Sequence, residues 1–188
     1  MMQPVGDARE LAARWLDVAS NRWRHVQSVG RRAERLVREA DNVSSALVRA
    51  AWLHDVGYAP ELAATGFHPL DGARYLAEQG ESDEVVALVA HHSGARYEAE
   101  ERGLAHELAA LPKPAADDLD MLTFLDLTTS PQGRVVTVKE RLSEILSRYE
   151  ADDPVYRAVT RSSGELVASV ERAQAALRSA DVRAAADL

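Results

Sequence analysis

The stretch spanning residues 49–60, RAAWLHDVGYAP, constrains this chain more than any other. An apolar helical run through Leu47, Ala50, Ala51 and Leu53 delivers His54 and Asp55 to a helix end, where Gly57 lets the backbone turn. Burying an imidazole beside a carboxylate costs several kcal/mol unless the pair is hydrogen-bonded or binds a metal. Whatever fold forms must bring compensating groups to this point.

With 188 residues the chain is long enough for one domain with a substantial core and too short to favour two. Leucine, alanine, arginine and glutamate dominate while aromatics are only 5%, a mix that favours helices over strands. The net charge of −8 gives no basic footprint for nucleic acid, and none is expected as a partner. Without cysteine, any metal must be held by imidazole and carboxylate. The N-terminal MMQPVGDARELAARW lacks the basic start and apolar core of a signal peptide. No apolar run approaches the ~20 residues that span a bilayer. A soluble, cytoplasmic protein with no membrane partner is the expectation.

Helical periodicity and capping residues divide the chain into roughly eight helices. Asp7 is expected to cap a first helix to about Ser20 with Leu11, Trp15 and Val18 as its apolar stripe. A second covers 22–40, with Val26, Val29, Ala33, Leu36 and Val37 inward, and a third starts at Asn42 or Ser44 and runs into His54. Pro69 fits the first turn of a helix ending at Gln79–Gly80, and Ser82 opens one running to His92. Residues 94–114 read as a short helix inside a long connection, because Pro112 and Pro114 interrupt it. A helix over 117–127 ends at the turn-forming TTSPQG. Thr137 with Glu140 forms a capping box for a helix to about Tyr149. Asp153-Pro154 starts another, a last helix covers 163–180, and the final residues are expected to fray. Only 135–138 hints at a strand. The fold class is all-α.

Six histidines are spread over this framework, and four of them fall at helix ends. His25 lies inside the second helix, His54 closes the third, His68 precedes a helix-starting proline, and the pair His91-His92 closes the helix after it. Asp126 follows the apolar MLTFL near the end of its own helix. Singly, each residue also suits a bland role as a core histidine, a cap or a solvated helix end. Together they fit one site for two divalent ions, where a carboxylate bridges and neutral imidazoles leave a net positive charge for a phosphorylated substrate. His106, in a polar loop, stays outside this set.

In order and rough spacing, His25, the His54-Asp55 doublet and Asp126 resemble the H…HD…D signature of the HD-domain superfamily of metal-dependent phosphohydrolases. The resemblance implies a single helical HD domain over 1–188, with its core at about 22–133 and a C-terminal helical extension at about 137–180. His68 in HPLDG and His91 in HHSG resemble the added histidines of the dinuclear branches. It further implies that His25, His54, Asp55 and Asp126 hold one ion, and that His68, His91 and a bridging Asp55 hold a second. The ions would be Fe or Mn first, with Co, Ni, Zn or Mg as alternatives. Arg22-Trp23-Arg24-His25 and the Pro131…Gly133-Arg134 turn are similar to bacterial enzymes that cleave dinucleoside polyphosphates symmetrically, but Gln132 is inserted in the turn. Gly57-Tyr58-Ala59-Pro60 precedes the paired histidines, and so differs from the Gly-Tyr-Pro of the cyclic-di-GMP branch.

The expected function is hydrolysis of a phosphoester or phosphoanhydride in a nucleotide-like small molecule. Asp55 and His92 are the expected catalytic residues, His92 as proton donor. A lysine that commonly follows the HD doublet is missing, so Arg22, Arg96 and Arg134 are expected to bind substrate oxygens. Two alternatives share the same ligands: a mixed-valence diiron oxygenase, and a non-catalytic nucleotide-binding module. A homodimer is the assembly left open.

Overall fold

The computed structural model describes residues 5–39 and 43–179. They form ten α-helices: α1 Val5–Trp15, α2 Asn21–Glu39, α3 Ser45–Leu53, α4 His68–Glu78, α5 Asp83–His91, α6 Ala95–Glu101, α7 Ala105–Ala109, α8 Ala116–Leu127, α9 Val138–Leu146 and α10 Pro154–Ser179. Two short 3-10 turns, Val56–Tyr58 and His92–Gly94, follow α3 and α5. Among the described residues there is no strand, and the 135–138 hint reduces to one isolated bridge between Thr129 and Val135. The all-α expectation holds.

The caps act where the sequence places them. The Ser44 hydroxyl accepts from the Leu47 N–H at 3.0 Å and Ser82 accepts from Val85, while Thr137 and Glu140 form the reciprocal capping box. Each satisfies a first-turn N–H that has no partner inside its helix. From Leu47 to Leu53 every residue of α3 is buried, as is every residue of α5 from Val85 to Ala90. Helices apolar on all sides belong in the centre. There α3 packs against α1, α2, α5 and α8, while the 26-residue α10 lies across α8, α6 and α9.

Several boundaries differ from expectation for local reasons. Asp7 lies inside α1, which begins at Val5, so it is not the cap. The helix stops at Trp15 because Asp17 starts a turn of its own, accepting from the Ala19 and Ser20 N–H groups. That turn leaves Val18 60% exposed, and Val37 is likewise on the outside of α2. Residues 94–114 contain two short helices, α6 and α7, rather than one, and α9 ends at Leu146. The two expected C-terminal helices are one, α10. Ser163 inside it donates to the Val159 carbonyl at 2.6 Å, an intrahelical bond that lets serine sit mid-helix. Ala40, Asn42, Ala180 and the tail expected to fray lie outside the described residues.

One close approach positions the site. A Cβ on Gly57 would stand 2.1 Å from the His68 carbonyl oxygen and 2.6 Å from the Gly72 nitrogen. The turn after Asp55 thus runs backbone-to-backbone along the start of α4, which only glycine permits. This contact brings His68 beside Asp55.

Candidate metal centre

Two groups of three donors converge. His25 from α2, His54 at the end of α3 and Asp126 from α8 bring their ligand atoms within 4.8 Å of one another. Asp55, His68 and His92 do the same next to them. His25 Nε2 lies 3.0 Å from Asp126 Oδ1 and 3.4 Å from His54 Nε2. His68 Nε2 lies 3.3 Å from His92 Nε2 and 3.5 Å from Asp55 Oδ1. The other Asp55 oxygen is 3.5 Å from His54 Nε2, so this carboxylate stands between the triads.

The imidazoles are oriented from behind. His25, His54 and His92 each direct Nδ1 at a backbone carbonyl, Ser130 at 3.2 Å, Ala51 at 3.0 Å and Val89 at 2.7 Å. With Nδ1–H donating there, the Nε2 lone pairs face inward. In the first triad His25, His54 and Asp126 then crowd three ligand atoms onto one point, an arrangement a cation completes. His68 is held differently, stacked on the Tyr58 ring at 3.9 Å between centroids. Asp126 accepts a hydrogen bond from the Ser93 hydroxyl. Ser93 adopts φ 48°, a left-handed conformation that costs a residue other than glycine about 1–2 kcal/mol. Behind α8, buried Arg32 donates to the Leu125 carbonyl and to Thr128 and Thr129, fixing the helix end that carries Asp126.

Charge keeps the carboxylates ionised, and burial keeps His68 and His92 neutral. Burial would favour a protonated Asp55, but the Arg22 guanidinium against it, foremost among its neighbours, outweighs this and holds the group well below the usual carboxylate range. Burial at Asp126 is likewise overcome, chiefly by His25 against it. Burial pushes His68 and His92 below the ordinary histidine value, so both are neutral at pH 7 and ready to donate a lone pair. Arg22 Nη1 donates to Asp55 Oδ2 at 2.6 Å and its guanidinium lies 3.8 Å from the Tyr58 ring centroid. Burial opposes that charge, yet the Asp55 pair more than offsets it and raises the Arg22 pKa.

Of the sequence candidates, His25, His54, Asp55, His68 and Asp126 come together with Arg22 at the mouth. His91 does not. Its Nε2 faces the Pro112 carbonyl at 3.1 Å and its ring lines a separate cavity beside α7 and α10, so the second of the paired histidines takes the place expected for the first. Arg96 shares that other cavity, where it pairs with Glu165 on the surface. Arg134 is exposed on the turn after Thr129, and His106 is exposed on α7. Sequence reasoning missed Tyr58, Ser93, Arg141 and Arg148. A cavity of about 90 Å³ beside the second triad is bounded by Arg22, Arg141 and Arg148, with Leu142, Ile145, Val159 and Leu166 as an apolar wall. The same three arginines border a cavity of about 300 Å³ that reaches His25.

An all-α bundle that aims four imidazoles and two carboxylates at one point is a framework for binding divalent cations. The profile described as the HD domain matches residues 22–122, and the chain belongs to that family. HD domains bind divalent metals and are usually metal-dependent hydrolases of phosphate bonds. The chain is also similar to Ribonuclease Y of Rubrobacter xylanophilus, 58% identical over 45 residues, which is 23% of this chain and 9% of that protein. No solved structure matches. Among the described residues no helix is long and apolar enough to cross a membrane.

Proposed function

We propose that this chain hydrolyses a phosphoester or phosphoanhydride of a small nucleotide-like molecule at a dinuclear site. The position of the Asp55 carboxylate between two acceptor triads carries the reading. His25, His54 and Asp126 would hold one ion, His68 and His92 the other, and Asp55 would face both. Divalent ions so held polarise phosphoryl oxygens and lower the pKa of water toward neutrality. The carbonyl-bonded Nδ1 atoms keep the imidazole lone pairs aimed inward and spare the substrate their reorganisation. Arg22, braced on Tyr58, stands where it can neutralise a phosphoryl oxygen through its guanidinium fork. His92 serves in this scheme as a ligand rather than a proton donor, because its Nε2 is engaged with the second triad.

The restricted cavity and the acidic chain favour a small molecule over a polymer. The short match to Ribonuclease Y favours a second reading, a phosphodiester of RNA as the bond cleaved. Elemental analysis of the purified protein, followed by a panel of nucleotides and an oligoribonucleotide, tests both. Wild type should carry about two ions per chain, and Asp55→Ala should lose at least about 100-fold in hydrolysis, since perturbing even the groups behind metal ligands costs 10–100-fold. Equal rates in the two proteins would overturn the assignment.

A further inference from the structure

Arg141 is a buried cation that the fold leaves incompletely used. Its side chain is 6% exposed, its Nη1 donates to Glu144, and its Nε has no hydrogen-bond partner. Buried donors in native structures are rarely left so. Arg32 Nε shares this state, but the rest of that guanidinium is spent on the end of α8. Arg141 instead borders both cavities at the metal centre. Arg148 borders both as well, and donates from Nε to the same Glu144 at 2.9 Å. One carboxylate is therefore shared by two guanidinium groups, which leaves a positive charge in excess between the cavities. Arg22 adds a third guanidinium to the boundary, and Asn21 and Gln132 line the larger cavity. Both Arg141 and Arg148 come from residues beyond the 22–122 match, on or just after α9.

We propose that Arg141 and Arg148, with Arg22, form an anion subsite that takes a phosphoryl group of the substrate other than the one attacked. The inference rests on the phosphohydrolase reading and sharpens it. A substrate with two linked phosphoryl groups would lay one at the triads and the other against α9, where the guanidinium forks match paired phosphoryl oxygens. Glu144 holds the two arginines in place, so it acts as a positioning residue.

The probe is inorganic pyrophosphate, compared with orthophosphate, titrated calorimetrically into chelator-treated protein so that no ion contributes. Wild type should bind pyrophosphate at least tenfold more tightly than orthophosphate. Arg141→Gln should abolish that preference, and Arg148→Gln, altering an exposed side chain, should weaken it several-fold. Arg141→Lys keeps the charge but loses the fork, and should restore only part of it. Arg134→Gln, on the exposed turn, should bind as wild type does. Circular dichroism melts identify any variant that fails to fold, and Arg148→Gln then carries the test alone. Unchanged pyrophosphate binding in folded Arg141→Gln and Arg148→Gln would overturn the subsite, even if metal loading and hydrolysis stand. Failure of metal loading or hydrolysis would overturn the parent reading and leave the pyrophosphate result intact.

Discussion

The two triads are built in different ways. His25, His54 and Asp126 come from α2, α3 and α8, three helices of the central core, and both histidines are locked by carbonyl bonds. Asp55, His68 and His92 come from a turn, the first residue of α4 and the residue after α5, and all three line the smaller cavity, which Asp126 alone of the first triad reaches. Here His92 keeps a carbonyl bond, to Val89, but His68 relies on the Tyr58 ring. The first triad belongs to the packing of the protein, and its atoms move only if the core moves. The second sits on a turn and at helix ends beside that cavity. Asp55 lies within reach of both, 3.5 Å from His54 and 3.5 Å from His68.

The sharpest break in this comparison is His54→Ala. It empties a fully buried position, so the metal-free protein should lose about 2–4 kcal/mol, by analogy with other core truncations. His68→Ala should cost about 1 kcal/mol or less, and denaturant melts of the two variants measure the contrast. Similar losses in both would mean that the triads are equally part of the core.

Next in size is the choice between neighbouring histidines. His92→Ala should lower metal content toward one ion per chain and cut hydrolysis by at least about tenfold, whereas His91→Ala should leave both within about twofold. Elemental analysis and rate measurements on the pair decide it. The reverse result would return His91 to the site.

Gly57→Ala attacks the second triad without touching a donor. Its methyl group must displace the His68 carbonyl, so about 1–3 kcal/mol of stability should go, as in overpacked cores. One ion should still be retained by the first triad. Loss of both ions would show that the triads are not separable.

The smallest effect is in pH. Burial lowers the pKa of His68 and His92 in the folded state, while the unfolded chain titrates near the ordinary value of about 6.5. Below that pH the unfolded state takes up protons that the folded state refuses. Stability of the metal-free protein is therefore full above about pH 6.5 and falls on acidification, by up to about 1.4 kcal/mol per pH unit for each histidine. A His68→Gln variant should show a shallower slope in melts between pH 7 and 5. An unchanged slope would assign the loss to other groups.

Much of this is legible in the sequence. Ser44, Ser82 and Thr137 cap helices for local reasons, and the His54-Asp55 doublet announces its need for partners because a buried polar pair cannot stand alone. The selection of His92 over His91 was not legible. Successive residues on a helix point about 100° apart, but α5 is buried all round, so its apolar pattern gives no phase. The left-handed Ser93 and Gly94 then turn the chain away after His92.

By itself the sequence determined the helical class, several of the caps and the donor types, because propensity, capping and ligand chemistry are local properties of residues. Tertiary structure alone decided which cations reach the site. Arg96 and Arg134 lie close in sequence to His92 and Asp126, yet one pairs on the surface and the other points outward. Arg141 and Arg148 reach the mouth because α9 packs against α10 and α8, a long-range packing that no residue spacing encodes. The Asp55 end of the central helix α3, where the sequence placed an uncompensated pair, is where those distant elements meet.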